Sequence, residues 1–156
     1  MSTETFDKLK AFVETNEVCR KAMKPLKKGA EAEFRILEDD RPYRFYKDGS
    51  GAHLADEPPK KPDFTLVFPT AVVEELVSSG SDDIGWYGVK IFEYGISKDP
   101  ETKILAKIHV GFMTLMKHGY FGMVKLGGRA LLGILKKYEL HKPSRMKEIA
   151  SRLRKK

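Results

Sequence analysis

The chain has 156 residues, 41% of them hydrophobic and 33% charged, with a net charge of +7. That length accommodates one domain with a real core and is too short for two ordinary ones, and the composition excludes a disordered chain. A single cysteine, Cys19, excludes an internal disulfide, and without Cys/His zinc spacing it predicts a reducing, cytoplasmic setting.

The start, "MSTETFDKLKAF", lacks the basic-then-apolar order of a secretory signal, and Ser2 and Thr3 offer a helix cap instead. Phe6, Leu9, Phe12, Val13, Cys19 and Met23 recur at helical spacing, predicting one helix that "KPLKKG" ends. "AEAEFRIL" alternates, with Ala32, Phe34 and Ile36 on one face and Glu31, Glu33 and Arg35 on a wet one. After the turn "EDDRP", the strand "YRFYK" places Tyr43 and Phe45 on one side, and "DGSG" leads to a short third strand over 52–55. Links this short predict an antiparallel meander. "DEPPKKP" is a Pro-rich loop and "DFTLVF" a further strand.

"PTAVVEELVSSG" predicts a helix with Pro69 in its first turn, apolar Val72, Val73, Leu76 and Val77, and Gly80 as the stop. Asp82 and Asp83 then suit the start of another helix, on which Ile84, Tyr87 or Gly88, Ile91 and Gly95 share one face and Trp86 lies elsewhere. "ILAKIHV" alternates again, with Ile104, Ala106, Ile108 and Val110 inward. Residues 110–140 are apolar yet hold six of the thirteen glycines, three of the six methionines, and Lys117, Lys125 and Arg129. Two helical pieces, broken near Gly119 or Gly127–Gly128, are expected there. No window reaches the ~18 apolar residues of a membrane span, so the protein is expected to be soluble. The segregation of strands from helices predicts an α+β fold, with an antiparallel or mixed sheet and helices on one face.

Residues 141–156 form a basic amphipathic tail with seven Lys/Arg and one Glu, whereas residues 1–140 carry 22 Lys/Arg and 21 Asp/Glu. Electrostatic attraction to a partner therefore belongs to the tail. A nearly neutral body makes nucleic acid an unlikely partner, although a nucleic-acid module acting through the tail is one alternative. It predicts binding that is strongly salt-dependent and needs the tail.

Catalytic motifs are not evident. The glycine-rich "GYFGMVKLGG" and "GGRALLG" lack phosphate-loop spacing. His53, His109, His118 and His141 are scattered, neither His109 nor His118 has a Ser, Cys or Asp nearby in sequence, and Cys19 falls on an apolar helix face. The expectation is a protein that is not an enzyme and takes no cofactor or metal. Phe112, Leu115, Met116, Phe121, Leu126, Leu131 and Leu135 are at least core positions. Met113, Met116 and Met123 among glycines add an adaptable apolar wall, suited to a bound guest.

"AEFRI…RPYRFYKDGSG", "KPDFTLVFPTAVVEELVSSG" and "ILAKIHVG" together resemble the sterol carrier protein type 2 family, the sterol-binding or lipid-transfer domain, in its bacterial form. The resemblance spans roughly residues 5–138 and rests on element order and apolar pattern. It implies a five-stranded sheet covered by helices, an apolar tunnel between them, and fatty acyl, phospholipid, sterol or isoprenoid ligands bound without chemistry. The pocket role carries over to Leu76, Ile91, Phe112, Met113, Leu115, Met116, Phe121, Met123, Leu126, Leu131 and Leu135. Lys125 and Arg129 are candidates for a headgroup or carboxylate at the mouth, with a solvated surface position as the alternative for each. One domain over 1–140 is expected, with the 141–156 tail either docking on anionic membrane or serving as a solvated segment that aids solubility. The segment 81–103 is longer than the family pattern, and the terminal "RKK" is not a peroxisomal address. An accessory lipid- or quinone-binding subunit of an isoprenoid-quinone pathway is the nearer alternative, distinguished by a protein partner.

Overall fold

Alternation of apolar and polar residues folds the first half of the chain as a meander, seen in a computed structural model that describes residues 2–39, 41–137, 148, 151 and 152. Strands β1 (Glu31–Ile36), β2 (Tyr43–Asp48) and β3 (Gly51–Ala55) pair antiparallel, with Ala32 opposite Phe45 and Phe45 opposite Leu54. Strand β4 (Phe64–Phe68) returns on the other side of β1 and pairs with it in parallel, Phe34 beside Leu66. Strand β5 (Leu105–Ile108) closes the edge antiparallel to β4, giving a five-stranded mixed sheet in the order β3-β2-β1-β4-β5.

The inner face holds the core. Ala32, Phe34, Ile36, Tyr43, Phe45, Leu54 and Phe68 are buried there. Helix α1 (Ser2–Thr15) lays Phe6 on Tyr43, ring centroids 4.2 Å apart, and α3 (Thr70–Ser78) buries Val72, Val73 and Leu76 in the same cluster. Phe34 stacks on Phe45 at 5.1 Å and meets Phe68 edge-on at 5.4 Å. Aromatic pairs in these arrangements contribute beyond their buried area. The class is α+β, as the segregated strand and helix patterns predict.

Five details depart from the sequence expectations. The first helix is two: Asn16 caps α2 (Glu17–Met23) by accepting from the Cys19 N–H at 3.0 Å. An Asn side chain satisfies an orphan donor at a helix start better than it serves a helix interior. Glu31 is 7% exposed and not wet, because the Arg44 guanidinium and the Lys60 and Lys61 amides enclose its carboxylate. Ala106 shares the inner face with Leu66 but is exposed, since β5 is a four-residue edge strand. The apolar C-terminal stretch forms three helices, α5 (Phe112–Lys117), α6 (Tyr120–Leu126) and α7 (Gly128–Lys137). The chain breaks at both of the alternative positions, with Gly119 at φ 89° and Gly128 at φ 69°. Pro69 sits one place outside α3 as its N-cap.

Asp83 caps α4 (Ile84–Gly95) by accepting from the Gly85 N–H at 2.9 Å. No helix among the described residues is long and apolar enough to cross a membrane. The tail 141–156 lies outside the described residues apart from 148, 151 and 152, where Arg152 pairs with Glu148 at 2.6 Å.

Glu31 links β1 to β2 and to the Pro-rich loop, and its charge gives a pH signature. Burial alone raises its carboxyl pKa, but Arg44 and the Lys61 and Lys60 N–H groups outweigh burial and hold it below the ordinary value. A lowered folded pKa contributes stability above the unfolded value and loses it as pH falls through the folded one. In thermal unfolding between about pH 6 and pH 3, a Glu31→Gln variant should therefore lose less melting temperature than wild type. Equal slopes would show that Glu31 adds nothing.

Candidate functional site: an apolar cavity

An apolar cavity of about 390 Å³ lies among the helices. Its wall comes from Phe12 of α1; Val18, Cys19, Ala22 and Met23 of α2; and Leu76 of α3. Ile84, Tyr87, Gly88, Ile91 and Phe92 of α4, and Met123 and Val124 of α6 with the following Gly127, complete it. The i, i+3, i+4, i+7 spacing of Ile84, Tyr87, Gly88 and Ile91 turns one stripe of α4 into a single wall. Every lining residue named belongs to a helix or a helix end, and none to a strand.

Two lining residues carry polar atoms, and both are silenced. The Tyr87 hydroxyl bonds Ser79 Oγ at 3.0 Å and the Ser81 carbonyl at 3.1 Å, so the ring presents carbon to the cavity. Burial pushes the Cys19 thiol up to about 12, which keeps it protonated, apolar and a poor nucleophile. Ile91 lines the cavity yet is 40% exposed, which marks the mouth.

Of the residues expected to form a pocket, Leu76, Ile91 and Met123 line this cavity. Leu115 is buried outside its lining, and Phe112 and Phe121 are half-buried against each other, ring centroids 5.1 Å apart. Met113 and Met116, 64% and 50% exposed, face solvent, as does Leu126. In so short a helix as α5 the Leu115 position takes the inward face, leaving the two methionines outward. The side chains of Leu131, Leu135 and Arg129 lie outside the described residues. Lys125 is exposed. The α1–α2 contribution is not distinguishable in the sequence from ordinary core, because a cavity-lining stripe and a core stripe have the same period.

A polar cluster sits apart from the cavity. Asp63, 2% exposed just before β4, accepts from Tyr120 Oη at 2.7 Å and pairs with His118 Nδ1 at 2.6 Å. The same oxygen takes the Glu31 N–H at 3.4 Å, and the Asp63 backbone bonds Glu31 and His109. Burial and the neighbouring carboxylate push the Tyr120 phenol far above its ordinary pKa. Tyr120 also meets Phe64 edge-on at 5.1 Å. Asp63 and His118 are 55 residues apart in sequence, so no local pattern joins them. None of the three lines the cavity. They tie α5 and α6 to the sheet. Among the described residues no cluster of His, Cys, Asp and Glu has metal-binding geometry.

No family model and no curated protein matches the chain. Among solved structures, one described as "UbiJ-SCP2 Ubiquinone synthesis protein" aligns with a TM-score of 0.43 and 11% identity, over 81% of this chain and 94% of that one. Superposition this loose assigns neither fold family nor ligand, and the α+β class rests on the strands and helices themselves.

Proposed function

We propose that the protein is a non-catalytic carrier that sequesters the apolar chain of a lipid, whether fatty acyl, sterol-like or isoprenoid, in the helix-lined cavity. The carrying observation is a cavity of about 390 Å³ whose polar atoms are already satisfied or protonated. Such a volume lies in the range of small-molecule sites, ~300–1,000 Å³, but those sites usually offer a few convergent polar groups to fix orientation. This one offers none among the described residues, so it selects for an apolar chain and leaves the polar head outside, near Ile91. Each methylene moved from water into the cavity stabilises the complex by ~0.8 kcal/mol before the costs of immobilisation.

The test is mass spectrometry on an organic extract of the purified protein, followed by uptake of a fluorescent fatty acid by the emptied protein. A stoichiometric lipid in the extract, or saturable uptake, is expected. Ala22→Phe fills the cavity from α2, and Ile91→Asp places a carboxylate at its mouth. Each should lower uptake at least ~10-fold, the equivalent of losing two buried methylenes. An empty extract with no uptake, or uptake indifferent to both variants, would make the cavity a packing defect.

A further inference from the structure

We propose that the outward side of α5 and α6 is a docking surface for an anionic lipid bilayer, distinct from the 141–156 tail. Met113, Met116 and Lys117 stand at i, i+3 and i+4 on α5, which places two exposed methionines and an exposed lysine on one face. Exposed Lys125 and Leu126 repeat the pairing of cation and apolar side chain at the end of α6. The contact between Phe112 and Phe121 holds the two short helices together. Soluble surfaces rarely present large apolar side chains in clusters, and those that do mark interaction sites.

Charge selects the occupant. Residues 110–137 contain five Lys/Arg and no Asp/Glu. Residues 1–109 contain 17 Lys/Arg against 20 Asp/Glu, so the positive character of the chain begins at the apolar helices and not at the tail. Apolar side chains flanked by cations fit the boundary between anionic headgroups and acyl chains, where each basic residue near the surface contributes about fivefold in partitioning. The same helix α6 supplies Met123 and Val124 to the cavity wall, so the docked surface and the lipid site share one element. The inference rests on the carrier reading only for that connection, because vesicle binding is measured with no ligand in the cavity.

The experiment is flotation of the full chain with vesicles of phosphatidylcholine alone or mixed with phosphatidylglycerol, at low and physiological salt. Expected is binding to the mixed vesicles, weakened by salt and at least ~10-fold weaker for Met113→Asp/Met116→Asp and for Lys117→Glu/Lys125→Glu. All four positions are exposed, and an unchanged melting temperature for each variant confirms that the fold is intact. Undiminished binding by the folded variants would assign docking to the tail and overturn the proposal. So would an absence of mixed-vesicle binding, or preferential binding to a single-stranded RNA oligonucleotide. Fatty-acid uptake by the same samples is a separate readout, so failure of docking does not imply failure of the cavity.

Discussion

An Asp63→Ala variant is expected to melt about 10 °C below wild type, since a loss of ~3 kcal/mol in a chain of this size shifts the midpoint by 2–4 °C per kcal/mol. The magnitude follows from what the carboxylate satisfies. Tyr120 Oη, His118 Nδ1 and the Glu31 N–H converge on one oxygen, and Asp63 is all but closed to solvent. Removing an acceptor leaves each buried donor with its own desolvation cost, ~1–3 kcal/mol apiece, partly relieved here because His118 keeps some access to water. Asp63→Asn retains one oxygen acceptor at nearly the same size and should lose roughly half as much. The order Ala below Asn below wild type, read by circular dichroism on heating, is the signature. A melting temperature for Asp63→Ala within ~2 °C of wild type would mean that α5 and α6 are held to the sheet by other contacts.

Gly119→Ala is the second large effect, expected to cost about 4 kcal/mol. Gly119 has φ 89°, a conformation that strains an L side chain by ~1–3 kcal/mol. Its added Cβ would also lie 2.1 Å from the Pro25 carbonyl oxygen and 2.9 Å from its carbon, and backbone atoms cannot swing aside as a side-chain tip can. Gly133→Ala, inside α7 with open space around the new methyl, is the opposite case and should gain up to ~1 kcal/mol through helix propensity. Denaturant unfolding of the pair separates the readings: opposite signs support a glycine required for contact, and two gains would mean the Gly119 backbone relaxes freely.

Those glycines show where sequence reasoning ran out. The excess of Gly over 110–140 suggests a loose wall adapting to a guest. Instead, Gly119 and Gly122 let α6 press against Pro25, and Gly85 lets α4 approach the Gly127 carbonyl, where a methyl would stand 2.5 Å away. Composition shows that the segment bends; it does not show what it bends against. The strands were far more legible, because Ala32, Phe34, Ile36, Tyr43 and Phe45 announce their faces by alternation and turns fix their order. The parallel pairing of β1 with β4 was hidden, since no pattern in either strand specifies a partner across the Pro-rich loop. On α4 the stripe from Ile84 to Ile91 was readable as a face, but whether it met a core or a void depends on residues of α1, α2 and α6 far away in the chain.

The sheet order also dictates a timetable for assembly. Partners in the β2–β3 hairpin lie 3 to 11 residues apart, from Asp48 with Gly51 to Arg44 with Ala55. Those in β1–β4 lie 32 apart, and Phe64 waits for Ile108, 44 residues downstream. Closing longer loops costs more entropy before any contact repays it, so the meander can organise first and the outer pair must follow. The chain emerging from a ribosome thus has its meander available early, while β4 presents an unpaired edge until β5 and the C-terminal helices arrive. That interval is the one in which this protein is most exposed to edge-to-edge association with its neighbours.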